Sequence, residues 1–348
     1  MYKICDKASN LKAYKPADSF YKINLSANES FYSIEKKSIE KIAKEITDIK
    51  FNRYPEVLPL ELIRVFSKFN NIDSNLVTAG NGSDELINVI LETFLKKGQT
   101  VVIVNPDFSM YMFYAKLLEL DVKVFEKNDN LKIDFKKLKE FILKNNAAAV
   151  IFSNPCNPTS LCECKEDLIA FIKGISCLAI IDEAYMEFSD QSLLGYINDF
   201  DNLIILKTLS KAMSLAAVRL GFAICNRTLT DILRSAKSPY NVNTVSAKIG
   251  GIVLENHNYI KSCVKGLIES KNFLMQQIKL FDKVMAEEFI LYDSQTNFIY
   301  IETKAANKID EYLKSKDIVV RCFENGLRIT GGTIDENNAL IKALKEAK

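Results

Sequence analysis

Apolar residues in this chain follow two spacings that predict alternating helices and strands. Between residues 33 and 49 they recur with a helical period, at Ile34, Ile39, Ile42, Ala43 and Ile46. Asn52-Arg-Tyr-Pro55 breaks that run, and Pro59 opens a second helix reaching Phe69. A glycine-bearing turn, Thr78-Ala-Gly-Asn-Gly-Ser-Asp-Glu85, then feeds an amphipathic run from 86 to 95. Ser83 is the expected N-cap of that helix, and Lys96-Lys97-Gly98 its stop. Short, continuously apolar runs predict strands at 101–104, 122–125, 147–152, 178–181, 203–206 and 220–225, with helices at 111–118 and 135–143. From residue 246 the pattern changes to a long helical region, 246–281, a strand at 297–301 and a helix at 305–314. Strands at 318–322 and 327–330 and a helix from Asp335 complete the chain.

Continuous apolar strands joined by helices imply an α/β fold with a mostly parallel central sheet covered by helices. The expected division is a polar arm over residues 1–30, a large domain over 31–245 and a smaller α+β domain over 246–348. In such sheets ligands bind beyond the carboxyl ends of the strands. A dinucleotide fingerprint would need a third glycine where Glu85 stands and a strongly apolar strand before the turn; both are missing. The helix start can still offer backbone N–H groups to one phosphate, with the Asp84 and Glu85 carboxylates expected to point away from it.

Composition narrows the function classes. The chain has 348 residues, 46 basic against 44 acidic, for a formal net charge of +2. That balance gives no single-sign field to attract nucleic acid or an anionic membrane. No apolar run approaches the ~18 residues of a membrane span, and Met1 to Leu11 lacks the apolar centre of a signal peptide. A cytoplasmic location is the expectation. Eight cysteines form no Cys-x-x-Cys pair and one histidine, His257, is present, so neither a zinc site nor any other metal is expected.

The candidate chemistry gathers at the predicted strand ends. An apolar run delivers Thr208-Leu-Ser-Lys211, with Arg219 eight residues later. A lysine kept partly out of water loses its proton more easily and can attack a carbonyl to form a Schiff base. Thr208, Ser210 and Arg219 are residue types that hold a phosphate, and together with Lys211 they suggest pyridoxal 5'-phosphate. Asp182, ending another strand, is either a local cap or a partner for a protonated pyridine nitrogen. Asn157 and Tyr185 are either turn residues or donors to a ring oxygen. Tyr111 belongs either to the core or against the face of a ring. Arg328 and Arg321, seven residues apart on strands, are either surface cations or clamps for a carboxylate or phosphate.

In their order along the chain these pieces resemble the fold-type I, pyridoxal-phosphate-dependent aminotransferases of class I and II. The resemblance is nearly end to end. It rests on Leu11-Lys-Ala-Tyr-Lys-Pro16, Asn24-Leu-Ser-Ala-Asn-Glu29, Arg53-Tyr-Pro55 and Gly80-Asn-Gly-Ser-Asp-Glu85. It continues in Asn154-Pro-Cys-Asn-Pro-Thr159, Asp182-Glu-Ala-Tyr185, Thr208 to Gly221, Pro239-Tyr-Asn-Val-Asn243 and Leu327-Arg-Ile-Thr330. The Tyr-Pro, Pro-Tyr-Asn-Val-Asn and arginine motifs are similar to the histidinol-phosphate branch, which acts in histidine biosynthesis.

The resemblance implies that Lys211 carries the cofactor and moves the proton, while Asp182 pairs with the pyridine nitrogen. Asn157 and Tyr185 would bind the ring oxygen and Tyr111 would lie on the ring face. Ser83 and Asp84 through their backbone, with Thr208, Ser210 and Arg219, would hold the phosphate. Tyr54 would reach it from the partner of a homodimer, to whose contact the N-terminal arm would add. Arg328, with Arg321, Tyr14 and Asn28, would take the amino donor and the 2-oxo acid acceptor. Ser160 departs from the glycine usual after the Asn-Pro motif, without removing a chemical group. A threonine-phosphate decarboxylase, an aromatic amino-acid aminotransferase and a non-enzymatic cofactor-binding module are the competing readings.

Overall fold

The computed structural model describes residues 20–281 and 288–347. The first elements are β1 (Ile23–Asn24), α1 (Lys36–Thr47), α2 (Leu60–Asn70), β2 (Val77–Gly80) and α3 (Gly82–Phe94). Next come β3 (Thr100–Asn105), α4 (Met110–Leu117), β4 (Asp121–Glu126), α5 (Phe135–Lys144), β5 (Ala149–Ser153), α6 (Lys165–Lys173) and β6 (Leu178–Asp182). Then follow β7 (Leu203–Thr208), β8 (Gly221–Cys225), α7 (Arg227–Ala236), α8 (Thr244–Leu254) and α9 (His257–Ile278). The last are β9 (Ile290–Leu291), β10 (Phe298–Glu302), α10 (Ala306–Ser315), β11 (Ile318–Val319), β12 (Arg321–Phe323), β13 (Gly326–Thr330) and α11 (Ile334–Glu346).

Seven strands form the central sheet in the order β2-β8-β7-β6-β5-β3-β4. From β7 to β4 every pairing is parallel, whereas β8 is antiparallel to both of its neighbours. Strand residues alternate between the two faces. Leu203 and Ile205 join one core with α2, α5 and α6, while Ile204 and Leu206 join another with α3 and α4. A sheet buried on both faces needs continuous apolar strands, which is why those runs identified it. A third core is built from β10, β13, α10, α11 and the end of α9. α9 spans two cores, with Ile260 and Leu267 in the first and Leu274, Met275 and Ile278 in the third. β1 pairs in parallel with β11, and Leu25 just after it is buried in the third core.

Four expectations are corrected. The helical region 246–281 is two helices, because Asn256 caps the second, its side chain accepting from Tyr259 N. The strand expected at 318–322 is divided, β11 pairing with β1 and β12 with β13. β2, α6 and α7 have no counterpart among the expected elements. Ser83 is not the cap of α3. Glu85 reaches back to accept from Asn81 N at 2.6 Å, so the helix starts at Gly82 and Ser83 lies in its first turn.

Candidate active site

The carboxyl ends of β5, β6 and β7 open onto a cavity of about 560 Å³. It is closed on one side by the first turn of α3 and on another by residues 27–29 and Arg328. Asp182, Asn157, Tyr185, Tyr111, Thr208, Ser210, Lys211, Arg219, Ser83, Asp84, Asn28 and Arg328 all line it. Residues separated by up to 300 positions thus meet where this sheet geometry directs ligands.

One end of the cavity is an anion cradle. Gly82 has φ +79°, and Gly221 begins β8. A Cβ on Gly221 would lie 2.3 Å from Gly82 C and 2.4 Å from Ser83 N, so only glycine lets β8 approach the start of α3 this closely. The Ser83 and Asp84 amides belong to that first turn, where helix N–H groups lack intrahelical partners. Thr208 Oγ1 donates to Ser210 Oγ at 3.0 Å. Arg219, itself left-handed at φ 56°, points Nη1 toward Ser210 Oγ at 3.4 Å. Its Nη2 faces Asp84 Oδ2 at 3.4 Å. The Asp84 carboxylate therefore faces the cradle's cation, contrary to the expectation that it points away. Glu85 does point away, bonding Asn81 and Asn241.

The same cavity carries a buried acid. Asp182 accepts from Tyr111 OH at 2.9 Å and from Ala184 N at 3.0 Å. Burial pushes its carboxyl up to about 7 against these two donors. Among the described residues no lysine or arginine forms an ion pair with it, so a cation delivered to this wall would restore its charge. On the far side of the same strand ends, Lys207 pairs with Glu187 at 2.8 Å and with Glu183 at 3.6 Å. That buried cluster joins the end of β6 to the end of β7, next to Asp182 and Thr208.

Lys211 lines the same cavity, donating to Ala27 O at 2.9 Å. Burial, and then the Arg328 guanidinium, bring its ammonium down to about 8. Arg328, buried on β13, donates to Asn157 Oδ1 and Ser26 O and stands 5.4 Å from the Phe298 ring centroid. The amide nitrogen of Asn157 is therefore left to donate. Behind it, Asn157 N donates to Ser153 Oγ, and Ser153 donates to Asp107, whose carboxyl burial pushes up. Sequence reasoning missed Asp107, which lies in a loop beside Phe108.

The remaining predicted residues lie elsewhere. Tyr54 is 83% exposed and stacks on Tyr240 with centroids 4.8 Å apart, outside the cavity. Arg321 is opposite Arg328 in the β12–β13 register but is not part of the cavity lining. Tyr14 lies outside the described residues. Lining residues not singled out from sequence include Glu29, Phe108, Met110, Tyr114 and Ala217. Glu29 was within a quoted motif, but nothing in its spacing marked it.

The arrangement provides an anion site, a lysine of lowered basicity, an acid in want of a cation, and a guanidinium for a second anion. The sequence profile described as aminotransferase class I and II matches residues 21–344. A histidinol-phosphate aminotransferase of Clostridium novyi (strain NT) is 38% identical over 344 residues, covering 97% of this chain and 95% of its own. One from Pyrococcus furiosus is 33% identical over 348 residues, covering 99% and 97%. The crystal structure of histidinol-phosphate aminotransferase from Sinorhizobium meliloti, in complex with pyridoxal-5'-phosphate, superimposes with a TM-score of 0.89 at 19% identity. That match covers 99% of this chain and 97% of the other and speaks to the fold alone. This chain belongs to the aminotransferase class I and II family.

Proposed function

We propose that this protein holds pyridoxal 5'-phosphate and transfers the amino group of histidinol phosphate to 2-oxoglutarate, giving imidazole-acetol phosphate and glutamate. The observation that carries the cofactor is Asp182, raised to about 7 by burial and without a lysine or arginine ion pair among the described residues, lining the same cavity as Lys211. A pyridine nitrogen would supply that charge, and the α3 cradle with Thr208, Ser210 and Arg219 suits the phosphate. The substrate rests on the relatives of 38% and 33% identity, both named histidinol-phosphate aminotransferases.

When bound, the cofactor supplies a carbonyl that exchanges amino groups and a ring that takes up the electrons of the broken substrate Cα–H bond. The rest is the work of the chain. Asp182 would hold positive charge at the ring nitrogen, and Asn157 and Tyr185 would direct hydrogens at the ring oxygen. The Lys211 amine, with its proton affinity lowered by burial and by Arg328, takes the proton from substrate Cα at Nζ and returns it later. Arg328 receives the phosphate of one substrate and a carboxylate of the other, so a single guanidinium serves both half-reactions of a ping-pong cycle.

The test is a half-reaction. Histidinol phosphate added to the holoprotein should bleach the cofactor's absorbance at about 10–100-fold lower concentration than phenylalanine, the worth of a hydrogen bond to a charged group. Equal potency of phenylalanine, or carbon dioxide release from phosphothreonine without an amino acceptor, would defeat the substrate assignment.

The same proposal includes a homodimer with Tyr54 donated across it. Phe51, Tyr54, Val57 and Leu60 present exposed apolar side chains within one ten-residue segment, and Tyr240 is stacked on Tyr54. Sedimentation at twice the 39.4 kDa of one chain is the expected result, and a monomer at micromolar concentration would exclude it.

A further inference from the structure

We propose that Asn241 is a positioning residue whose amide, backed by Lys237, holds the Glu85 carboxylate away from the anion cradle and so keeps the start of α3 open to phosphate. The inference rests on the reading of that cradle as a phosphate site. Glu85 lies in the first turn of α3, directly after Ser83 and Asp84, which line the cavity. A carboxylate there has ready partners in the unpaired N–H groups of its own helix start, the same groups an incoming anion needs. Left unheld, Glu85 would compete with that anion and repel it.

Three contacts hold it. Glu85 Oε2 accepts from Asn81 N at 2.6 Å and from Asn241 Nδ2 at 3.0 Å, and Oε1 accepts from Asn81 Nδ2 at 3.2 Å. Gly80 gives the carboxylate room, since a Cβ there would lie 2.8 Å from Oε2. The direction of the Asn241 amide is fixed by what it meets. Lys237 Nζ can only donate, so the atom facing it at 2.8 Å is Oδ1, and Nδ2 is turned to Glu85 and to Ala79 O. Asn241 O also accepts from Asn81 Nδ2 at 2.7 Å, tying the two segments a second time.

Lys237 is 5% exposed, its other hydrogen bonds running to Val57 O at 2.9 Å and Ser238 O at 3.3 Å. Burial holds its ammonium below the ordinary lysine range, and the Glu85 charge opposes that shift, so cation and carboxylate act on each other across the amide. The Pro239-Tyr-Asn-Val-Asn243 stretch thus bears on the cavity although Asn241 does not line it.

The test titrates cofactor-free protein with inorganic phosphate, pyridoxal 5'-phosphate and pyridoxal at one pH. Asn241→Ala should bind the first two about 10–100-fold more weakly, the worth of one hydrogen bond to a charged group. Pyridoxal, which brings no phosphate, should bind within ~2-fold of wild type. Lys237→Met, which leaves Asn241 in place but removes the donor that orients it, should weaken the same two ligands by a smaller factor. Glu85→Gln supplies the rescue: it keeps the shape without a charge to oppose the anion, so adding Asn241→Ala to it should cost less than ~2-fold.

A merely structural Asn241 gives another pattern, with pyridoxal weakened as much as the phosphorylated ligands and no recovery on adding Glu85→Gln. Either result, or unchanged phosphate affinity in both Asn241→Ala and Lys237→Met, overturns the proposal. Should Asn241→Ala fail to fold, Lys237→Met with and without Glu85→Gln decides in the same way. A wild-type protein that binds pyridoxal 5'-phosphate no tighter than pyridoxal overturns the reading of the cradle itself.

Discussion

Lys211→Ala abolishes turnover and leaves no cofactor covalently attached after borohydride reduction. The size of the loss follows from two roles on one atom. A general base at Cα contributes roughly 10²–10⁴ in rate, and the covalent hold on the cofactor is lost with it, so a fall of about 10⁴ or more is expected. The wild-type chain adds a pH signature. Burial brings Nζ to about 8, where an ordinary lysine titrates near ~10.4. The free amine is the attacking form, so cofactor uptake by the stripped protein should speed up as pH rises through about 8 and then level off. The alanine variant should show no such rise. Turnover within ~10-fold of wild type, or mass spectrometry finding reduced cofactor on the variant chain, would refute the role.

Asp182→Asn separates activity from stability. With the ring nitrogen's counter-charge removed, kcat is expected to fall about 10³-fold, the scale of losing one preorganised electrostatic contact. The cofactor-free protein should respond the other way. The folded-state value of about 7 lies above the ordinary ~3.9, so the folded protein binds more protons between these values. Stability from this group is complete below pH ~4 and is lost as pH rises through 7. Asparagine needs no proton, so above pH 7 the stripped variant should melt at the same or a higher temperature than the wild type. A variant less stable at pH 8 yet catalytically intact would contradict both halves of the argument.

The central sheet was legible because a strand covered on both faces must be apolar at successive positions, as Leu203 to Leu206 are. The site was legible for a related reason: chemistry at a strand's carboxyl end follows its apolar run immediately, as Asp182 follows Ile181. β2 escaped because Val77-Thr-Ala-Gly80 is short and of small residues, and it becomes a strand only through pairing with β8. α7 buries only Thr230 and Leu233, too sparse a stripe to stand out from one sequence. The division between β11 and β12 depends on β1, which arrives from 295 residues earlier in the chain at its first paired residue, Ile23 with Ile318. Side-chain direction was least legible. Asp84 looked like an anion-repelling acid to be turned outward, but an arginine 135 positions later gives its carboxylate a partner at the cavity. The buried Asn28 side chain likewise bonds Thr330, 302 positions away, which no local pattern brings near.

Within the central sheet, β8 runs antiparallel to both of its neighbours, and this orders how the molecule is made. β2 pairs only with β8, and 141 residues separate Gly80 from Gly221. At ~5–20 residues per second, ribosomal synthesis needs roughly 7–28 s to cross that interval. Throughout that time the nascent turn bearing Ser83 and Asp84 has no sheet edge to dock on, while β3, β4 and β5 can already pair. The cradle between β8 and the start of α3 is thus among the last parts of the large core to be assembled on the ribosome.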